Sequence, residues 1–363
     1  MLKCGIIGLP LSGKSTVFNV VTRAGAEVKA YASGKTDPNK AMVNVPDERF
    51  DHLVEFFEPK KITPATVEFV DLAGLSRNAS KGEGVGNAFL SFVGESDALV
   101  HVVRLFENPD VPHPEDTVDP VRDWNIVEME LIFRDLAVIE NRLSRLAAKK
   151  KNIPAETAEK DLLERCQTCL LEERPLRELG LSAEELRLLS GFAFVTLKPE
   201  LLVANLDETQ TDDSMSQLEA LRRLAHEKQI RLVKIFGKME MELAELPEEE
   251  QKEFMGELGI AESGRNRLIS EAYALLGLIS FFTTGKDEVK AWTLLGGETA
   301  VDAAGTIHSD LARGFIRAQV VSYVDFIAHD RSLAKCREKG VLRLEGKEYI
   351  VADGDMIEIR FNV

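Results

Sequence analysis

Four cysteines in 363 residues are too few for a disulfide framework. Reduced thiols and an ordinary packed core are expected instead. Long apolar runs are missing as well. The longest uncharged one, residues 272–284, is interrupted by Gly277 and Ser280 and falls well short of the roughly 18 to 20 residues a membrane span needs, so no membrane association is expected. Basic excess is absent: the formal net charge is -16, which argues against wholesale coating of nucleic acid and leaves room only for local basic patches. No fixed-period repeat or low-complexity tract occurs. The first residues carry no basic segment, long apolar core and small-residue cleavage site, so a cytoplasmic location is expected. What remains, 44% hydrophobic and 29% charged residues, is a globular composition with length for two or three domains.

Short apolar, β-rich runs at 3–7, 41–45, 66–72 and 98–106, with a helix at 15–22, predict an α/β domain. Runs at 201–205 and 231–236 resume the same style after an interruption, as an insertion would leave them. Inside the interruption Met129, Ile132, Leu136, Ile139, Leu143 and Leu146 are spaced 3 or 4 apart. Such a heptad seam needs a partner helix, which 155–173 supplies through Leu163, Cys166 and Leu170. The turn Lys149-Lys150-Lys151-Asn152-Ile153-Pro154 is either a positive tip on an antiparallel hairpin or a solvated loop that favours a helix C-terminus. From residue 281 the text reads as strand 288–294, helix 300–307 and strand 315–323. A hairpin at 341–351 turned at Glu345-Gly346-Lys347 and a strand at 356–361 follow, with Asp353-Gly354-Asp355 as a tight turn. This small α+β unit holds 11 Lys and Arg against 13 Asp and Glu, so the acidity resides elsewhere.

Gly8-Leu9-Pro10-Leu11-Ser12-Gly13-Lys14-Ser15 matches G-x-x-x-x-G-K-[ST] in full, between a strand and a helix as the pattern requires. Glycines let successive N–H groups turn onto a phosphate, and the helix N-terminus adds its positive end. Leu11, Ser12 and Gly13 shape the cradle, Lys14 reaches the β- and γ-phosphates, Ser15 ligates Mg²⁺ and Thr16 sits near the α-phosphate. Asp71-Leu72-Ala73-Gly74 ends the 66–72 run. Asp71 is placed as an outer Mg²⁺ ligand and the Gly74 N–H as a γ-phosphate contact. Leu75 follows where water-orienting members of this class carry glutamine, and an isobutyl group cannot orient a water.

Asn205-Leu206-Asp207-Glu208 ends the 201–205 run, where G proteins carry Asn-Lys-x-Asp. Their aspartate accepts two hydrogen bonds from guanine, whereas adenine offers no such donor pair. The longer Glu208 undermines that reading and points to ATP, or else merely relaxes specificity. The main chain of Leu206 is expected to be free to meet adenine N1 and N6.

These motifs, with Ala79-Ser80-Lys81-Gly82-Glu83-Gly84-Val85-Gly86-Asn87 and the ending Arg360-Phe361-Asn362-Val363, resemble the Obg-like ATPase family, YchF-type branch, of translation-factor-related P-loop NTPases. The likeness covers nearly the whole chain. It implies a P-loop NTPase domain in two parts (1–120 and 193–280), a coiled-coil hairpin insertion (121–192) and a C-terminal ubiquitin-like β-grasp TGS domain (281–363). It also implies a slow ATPase that associates with the ribosome, and His113 matches the family's substitute for the missing glutamine. RNA contact is expected through Lys149–Lys151 and the TGS domain. Three places depart from the family pattern. Leu11-Ser12 replaces Asn-Val, so a potassium-binding asparagine is lost. In Gly34-Lys35-Thr36-Asp37-Pro38-Asn39 the threonine is displaced by one, so Thr36 is a metal ligand only if the loop adjusts. Phe236-Gly237-Lys238 replaces Ser-Gly/Ala-x, so Phe236 either walls the adenine beside Gly237 or points into the core.

Cys166-x-x-Cys169 lacks a second Cys or His pair and fits the helical seam, so core packing is expected rather than a metal site. Cys4 and His101 lie inside apolar strands and are expected to be buried sheet residues. Two rivals to the ATPase reading remain: an adaptor that senses nucleotide without turnover, and a conventional GTPase.

Overall fold

The computed structural model describes residues 2–23, 38–72, 92–149, 154–209, 211–257 and 262–362. They fall into two compact units, Met1–Met42 with Glu68–Ala272, and Val43–Val67 with Tyr273–Val363. Among the described residues no helix is long and apolar enough to cross a membrane.

The first unit is built on a six-stranded sheet ordered β2-β4-β1-β5-β6-β7. The strands are β1 (Lys3–Ile7), β2 (Asn39–Asn44), β4 (Thr66–Asp71), β5 (Ala98–Arg104), β6 (Glu200–Asn205) and β7 (Arg231–Ile235). From β4 to β7 neighbouring strands pair in parallel. Every residue of β5 and β6 is buried, which is why both read as mainly apolar runs rather than alternating ones. The C-terminal ends of β1, β4, β5 and β6 share one edge of the sheet, where parallel α/β sheets bind ligands. The first helix, α1 (Lys14–Arg23), leaves that edge directly.

Helix α3 (Pro120–Ala147) begins nine residues before the heptad seam. Asp119 caps it, accepting the Arg122 N–H at 3.0 Å, and proline occupies its first position as the missing donor allows. The helix changes partners along its length. Trp124 packs with Val103 and Leu206, and Val127 and Leu131 pack with Ile7 and Val70. From Ile132 onward it covers α4 (Pro154–Leu171) through Leu136, Ile139, Leu163, Cys166 and Leu170. Late α3 meets early α4, since Arg142 grips Glu159 with bonds of 2.6 and 2.8 Å. All four cysteines are buried and unpaired.

The second unit contains a sheet ordered β11-β10-β12-β8-β9-β3. Its strands are β3 (Lys61–Thr63), β8 (Leu278–Thr283), β9 (Glu288–Leu295), β10 (Phe315–Ser322), β11 (Arg343–Glu345) and β12 (Asp355–Phe361). Residues 43–67, assigned by the sequence reading to the nucleotide-binding part, thus fold with the C-terminal segment. The reason is pairing over long sequence distances: β3 pairs in parallel with β9, and Arg49 on α2 (Glu48–Phe57) bonds Asp353 at 2.8 Å. The hairpin expected at 341–351 is not formed. Only β11 is a strand, paired with β10. The chain beyond its turn instead supplies the Lys347 and Tyr349 carbonyls to the Val301 and Ala300 N–H groups, which open the helix Ala300–Ile307. Those first-turn donors have no partner within their own helix, so the passing chain takes them.

Candidate active site

The loop between β1 and α1 is shaped by two close approaches. Gly8 has φ +148°, and a Cβ there would lie 2.4 Å from the Val102 carbonyl of β5. Gly13 has φ +96°, and its Cβ would meet Asn205 Nδ2 at 2.1 Å. Neither position accepts a side chain. Asn205 fills the space that Gly13 leaves and donates Nδ2–H to the Ser12 carbonyl at 3.1 Å. Gly237 is equally constrained, because a Cβ would lie 2.8 Å from Asn205 Oδ1 and 3.0 Å from Thr16 Cγ2. One buried amide side chain thereby joins the loops that follow β1, β6 and β7. Between the two glycines, Leu11 sits at φ +60° and is half exposed. The Ser12 hydroxyl is buried with no hydrogen-bond partner among the described residues.

Lys14 is buried, its Nζ donating to the Leu9 carbonyl at 2.6 Å. Burial lowers its pKa to about 8, against an opposing pull from Asp71. Ser15 Oγ donates to Asp71 Oδ2 at 2.9 Å. Burial raises the Asp71 carboxyl above its ordinary range, opposed by Ser15 and by the Lys14 charge. The site therefore holds a lysine eager for an anion beside two hard oxygen donors. A phosphate reaching Lys14 would favour its charged form, so binding above pH 8 should take up a proton. ATP affinity is expected to be flat below about pH 8 and to fall by up to about tenfold per pH unit above it. Calorimetry at pH 8.5 in two buffers of different ionisation enthalpy reads the proton directly, and equal heats would show that Lys14 is already fully charged.

The residues expected to read the base are partly reassigned. Leu206 is a core residue packed with Leu105, Trp124 and Leu218, and its N–H donates to the Ile235 carbonyl at 2.8 Å. The expectation of a free main-chain donor at this position is corrected: the N–H prolongs the pairing of β6 with β7. Glu208 is exposed, its N–H held by Asp207 Oδ1 at 2.6 Å. Phe236 is half-buried against the same cluster as Leu206. Of the basic tip, Lys149 pairs with Glu156 at 2.5 Å. Thr36, Gly74, Leu75, the 79–87 run, Lys150 and Lys151 lie outside the described residues.

His113, which the resemblance matches to the family's substitute for glutamine, is buried in this structure. Its side chain is 5% exposed, with Nε2 2.9 Å from Asp123 Oδ2 and Nδ1 accepting the Glu115 N–H at 3.1 Å. Two organising residues escaped the sequence reading. Arg104, at the end of β5, donates to the Phe106 and Val111 carbonyls and lies over the Phe106 ring. Asp123, in the first turn of α3, is gripped by Arg122 at 2.7 Å. The Asp119-Pro120 helix-start signal could have placed Asp123 beside this loop.

His101 is buried in β5 and bonds Glu200 Oε1 at 2.8 Å. Among the described residues, no group of three or more His, Cys, Asp or Glu side chains is arranged to hold a metal ion. A Mg²⁺ brought by a nucleotide needs no such group, since phosphates and water fill most of its shell.

Comparison with known proteins gives the family. The family model described as 50S ribosome-binding GTPase matches residues 3–142, and YchF-GTPase_C, described as protein of unknown function (DUF933), matches residues 278–362. The chain is 44% identical to the ribosome-binding ATPase YchF of Haemophilus influenzae, covering 99% of both chains. It is 43% identical to that of Bacillus subtilis over 100% of both. The solved structure of the Schizosaccharomyces pombe YchF GTPase superposes with a TM-score of 0.86 at 34% identity, covering 99% of this chain and 97% of that one. An α/β P-loop fold that pairs Ser15 with Asp71 and is matched over its full length by such relatives places the chain in the YchF family.

Proposed function

We propose that this protein is an ATPase that binds the ribosome, with slow turnover on its own. The observation that carries the reading is the loop in which a buried Lys14 lies beside Ser15 and Asp71 while Asn205 bonds the Ser12 carbonyl. Relatives named ribosome-binding ATPase, similar over the whole chain, support the choice of nucleotide and partner. In the finer reading the protein is of the Obg-like branch and cytoplasmic. Residues 121–192 serve as a coiled-coil insertion between NTPase parts 1–120 and 193–280. Residues 281–363, with 43–67 added to their sheet, serve as the TGS β-grasp domain. RNA contact falls to Lys149–Lys151 and that domain.

In this mechanism Lys14 exchanges the Leu9 carbonyl for the β- and γ-phosphate oxygens, and the amides from Leu11 to Thr16 close around the phosphates at the N-terminus of α1. Ser15 and Asp71 would hold Mg²⁺, their hard oxygens already 2.9 Å apart; Thr36 is assigned to the same ion. When bound, the ion offsets phosphate charge as it develops in the transition state. Gly74 contacts the γ-phosphate, and His113 stands in for the glutamine that Leu75 replaces. Asn205, Glu208, Phe236 and Gly237 frame the base, with Glu208 denying guanine its bidentate acceptor.

Competition between ATP and GTP for a fluorescent analogue tests the base, and single-turnover hydrolysis with and without ribosomes tests the activity. ATP is expected to bind more tightly, and Glu208→Asp to raise GTP affinity about tenfold or more by restoring the shorter acceptor. Preferential GTP binding by the unaltered protein would replace this reading with a GTPase. Undetectable cleavage under both conditions would favour the adaptor.

A further inference from the structure

The segment joining β5 to α3 leaves the sheet edge that carries the phosphate loop, since β5 is the parallel neighbour of β1. Side chains on both flanks hold it. Arg104 takes the Phe106 and Val111 carbonyls from the β5 side. Arg122 reaches back from α3 to Thr117 Oγ1 at 2.9 Å, while its Nε and Nη2 fasten Asp123 Oδ1. Asp123 Oδ2 takes His113 Nε2, and the Glu115 N–H takes Nδ1.

The donor pattern fixes the form of the ring. Nδ1 faces a backbone N–H, so it carries the lone pair, and Nε2 therefore carries the hydrogen and donates it to Asp123. A carboxylate behind a histidine often prepares it for chemistry, but that requires the opposite nitrogen to face the reactants. Here the opposite nitrogen is spent on Glu115. Neither a free lone pair nor a free N–H remains, and both side chains are about 95% buried. The arrangement stores the imidazole rather than presenting it.

We propose that Asp123 is a positioning residue that holds His113 in a withdrawn state, and that loosening this pair admits the imidazole to the γ-phosphate. The proposal rests on the hydrolytic role given to His113 above and supplies its regulation. Turnover without a partner is slow because only the small released fraction is competent. Any partner that draws the 105–119 segment away from Arg122 and Asp123 accelerates cleavage without adding a catalytic group.

Asp123→Asn preserves shape and removes the charge that binds His113 and Arg122. It is expected to raise ribosome-free kcat about three- to thirty-fold, and the rise should vanish in a His113→Ala/Asp123→Asn double variant, which should match His113→Ala alone. Long-range ¹⁵N spectra of histidine-labelled, unsubstituted protein supply a readout that does not depend on a variant folding. His113 should show one protonated Nε2 and one bare Nδ1, and Asp123→Asn should collapse that difference toward the averaged pattern of a free ring. A decrease or no change in kcat for Asp123→Asn, with His113→Ala impaired, would overturn the latch and leave the hydrolytic role standing. Unchanged kcat in His113→Ala would overturn both. A bare Nε2 in the unsubstituted protein would overturn the latch by itself.

Discussion

Lys14→Met is expected to lower kcat/KM for ATP by about 10²–10⁴-fold, because it removes a buried charged donor placed to follow developing charge on the phosphates. The methionine keeps the stem packing, so the loss isolates the ammonium group. Stability should move the other way. Burial pulls the Lys14 pKa down to about 8 in the folded protein, below its unfolded value, so between about pH 8 and 10.5 the unfolded chain binds more protons and stability rises with pH. Below that window the charged lysine is a standing cost to the native state without nucleotide. The variant should therefore melt no lower than the unsubstituted protein at pH 7, and the rise in stability above pH 8 should be flattened. A steady-state assay paired with melts at pH 7 and 9.5 checks both parts. Hydrolysis within tenfold of the starting level would remove Lys14 from the mechanism.

That opposition between stability and binding explains why the phosphate site was legible in the sequence. The residues there serve a ligand, and the spacing of Gly8, Gly13, Lys14 and Ser15 is set within one short stretch by the phosphate it wraps, even though Val102 and Asn205 also press on the two glycines. The strands behind it were equally readable, since burial on both faces leaves mostly apolar side chains in β5 and β6, with His101, Arg104, Glu200 and Asn205 as the buried polar exceptions. Elsewhere the signals were weaker for identifiable reasons. The heptad pattern of α3 begins only at Met129 because residues 120–128 pack on the sheet rather than on α4. A three-residue strand such as β3 shows no periodicity, so nothing local announced that 43–67 would join the C-terminal sheet. The base-side error has a different origin. A motif states which side chains are present, but the Leu206 N–H is spent by the register between β6 and β7, which only the paired strands reveal. His113 and Asp123 are likewise ten residues apart and meet only because the segment folds back onto the first turn of α3.

Arg177→Met is expected to cost about 3–5 kcal/mol and to lower the melting temperature by roughly 10 °C. Arg177 lies in the short 3₁₀ turn Leu176–Glu178 that follows α4. Its Nη2 bonds Glu128 of α3 at 2.8 Å and Glu200 of β6 at 2.6 Å. Glu200 also accepts from Trp124 and His101, each at 2.8 Å. Burial pushes both carboxyls up. In Glu200 the Arg177 charge and the His101 and Trp124 donors outweigh burial and hold it at about 2, whereas Glu128 stays above its ordinary range. A single cation thus serves two buried carboxyls unequally. Glu128 Oε1, Arg177 Nη1 and His101 Nε2 have no partner among the described residues, so the set is only partly satisfied. Deleting its one permanent cation is therefore worse than replacing the whole set by apolar groups. The pH dependence gives the signature. In the unsubstituted protein Glu200 contributes stability above its unfolded pKa that is lost as the solution is acidified toward 2. In the variant both carboxyls lie above their unfolded values, so the folded state binds more protons and the deficit shrinks as pH falls. The gap between the two melting temperatures should accordingly narrow from pH 7 to pH 4.5. A constant gap would mean that Arg177 acts through packing alone, and no gap would mean that the hairpin is fastened to β6 without it.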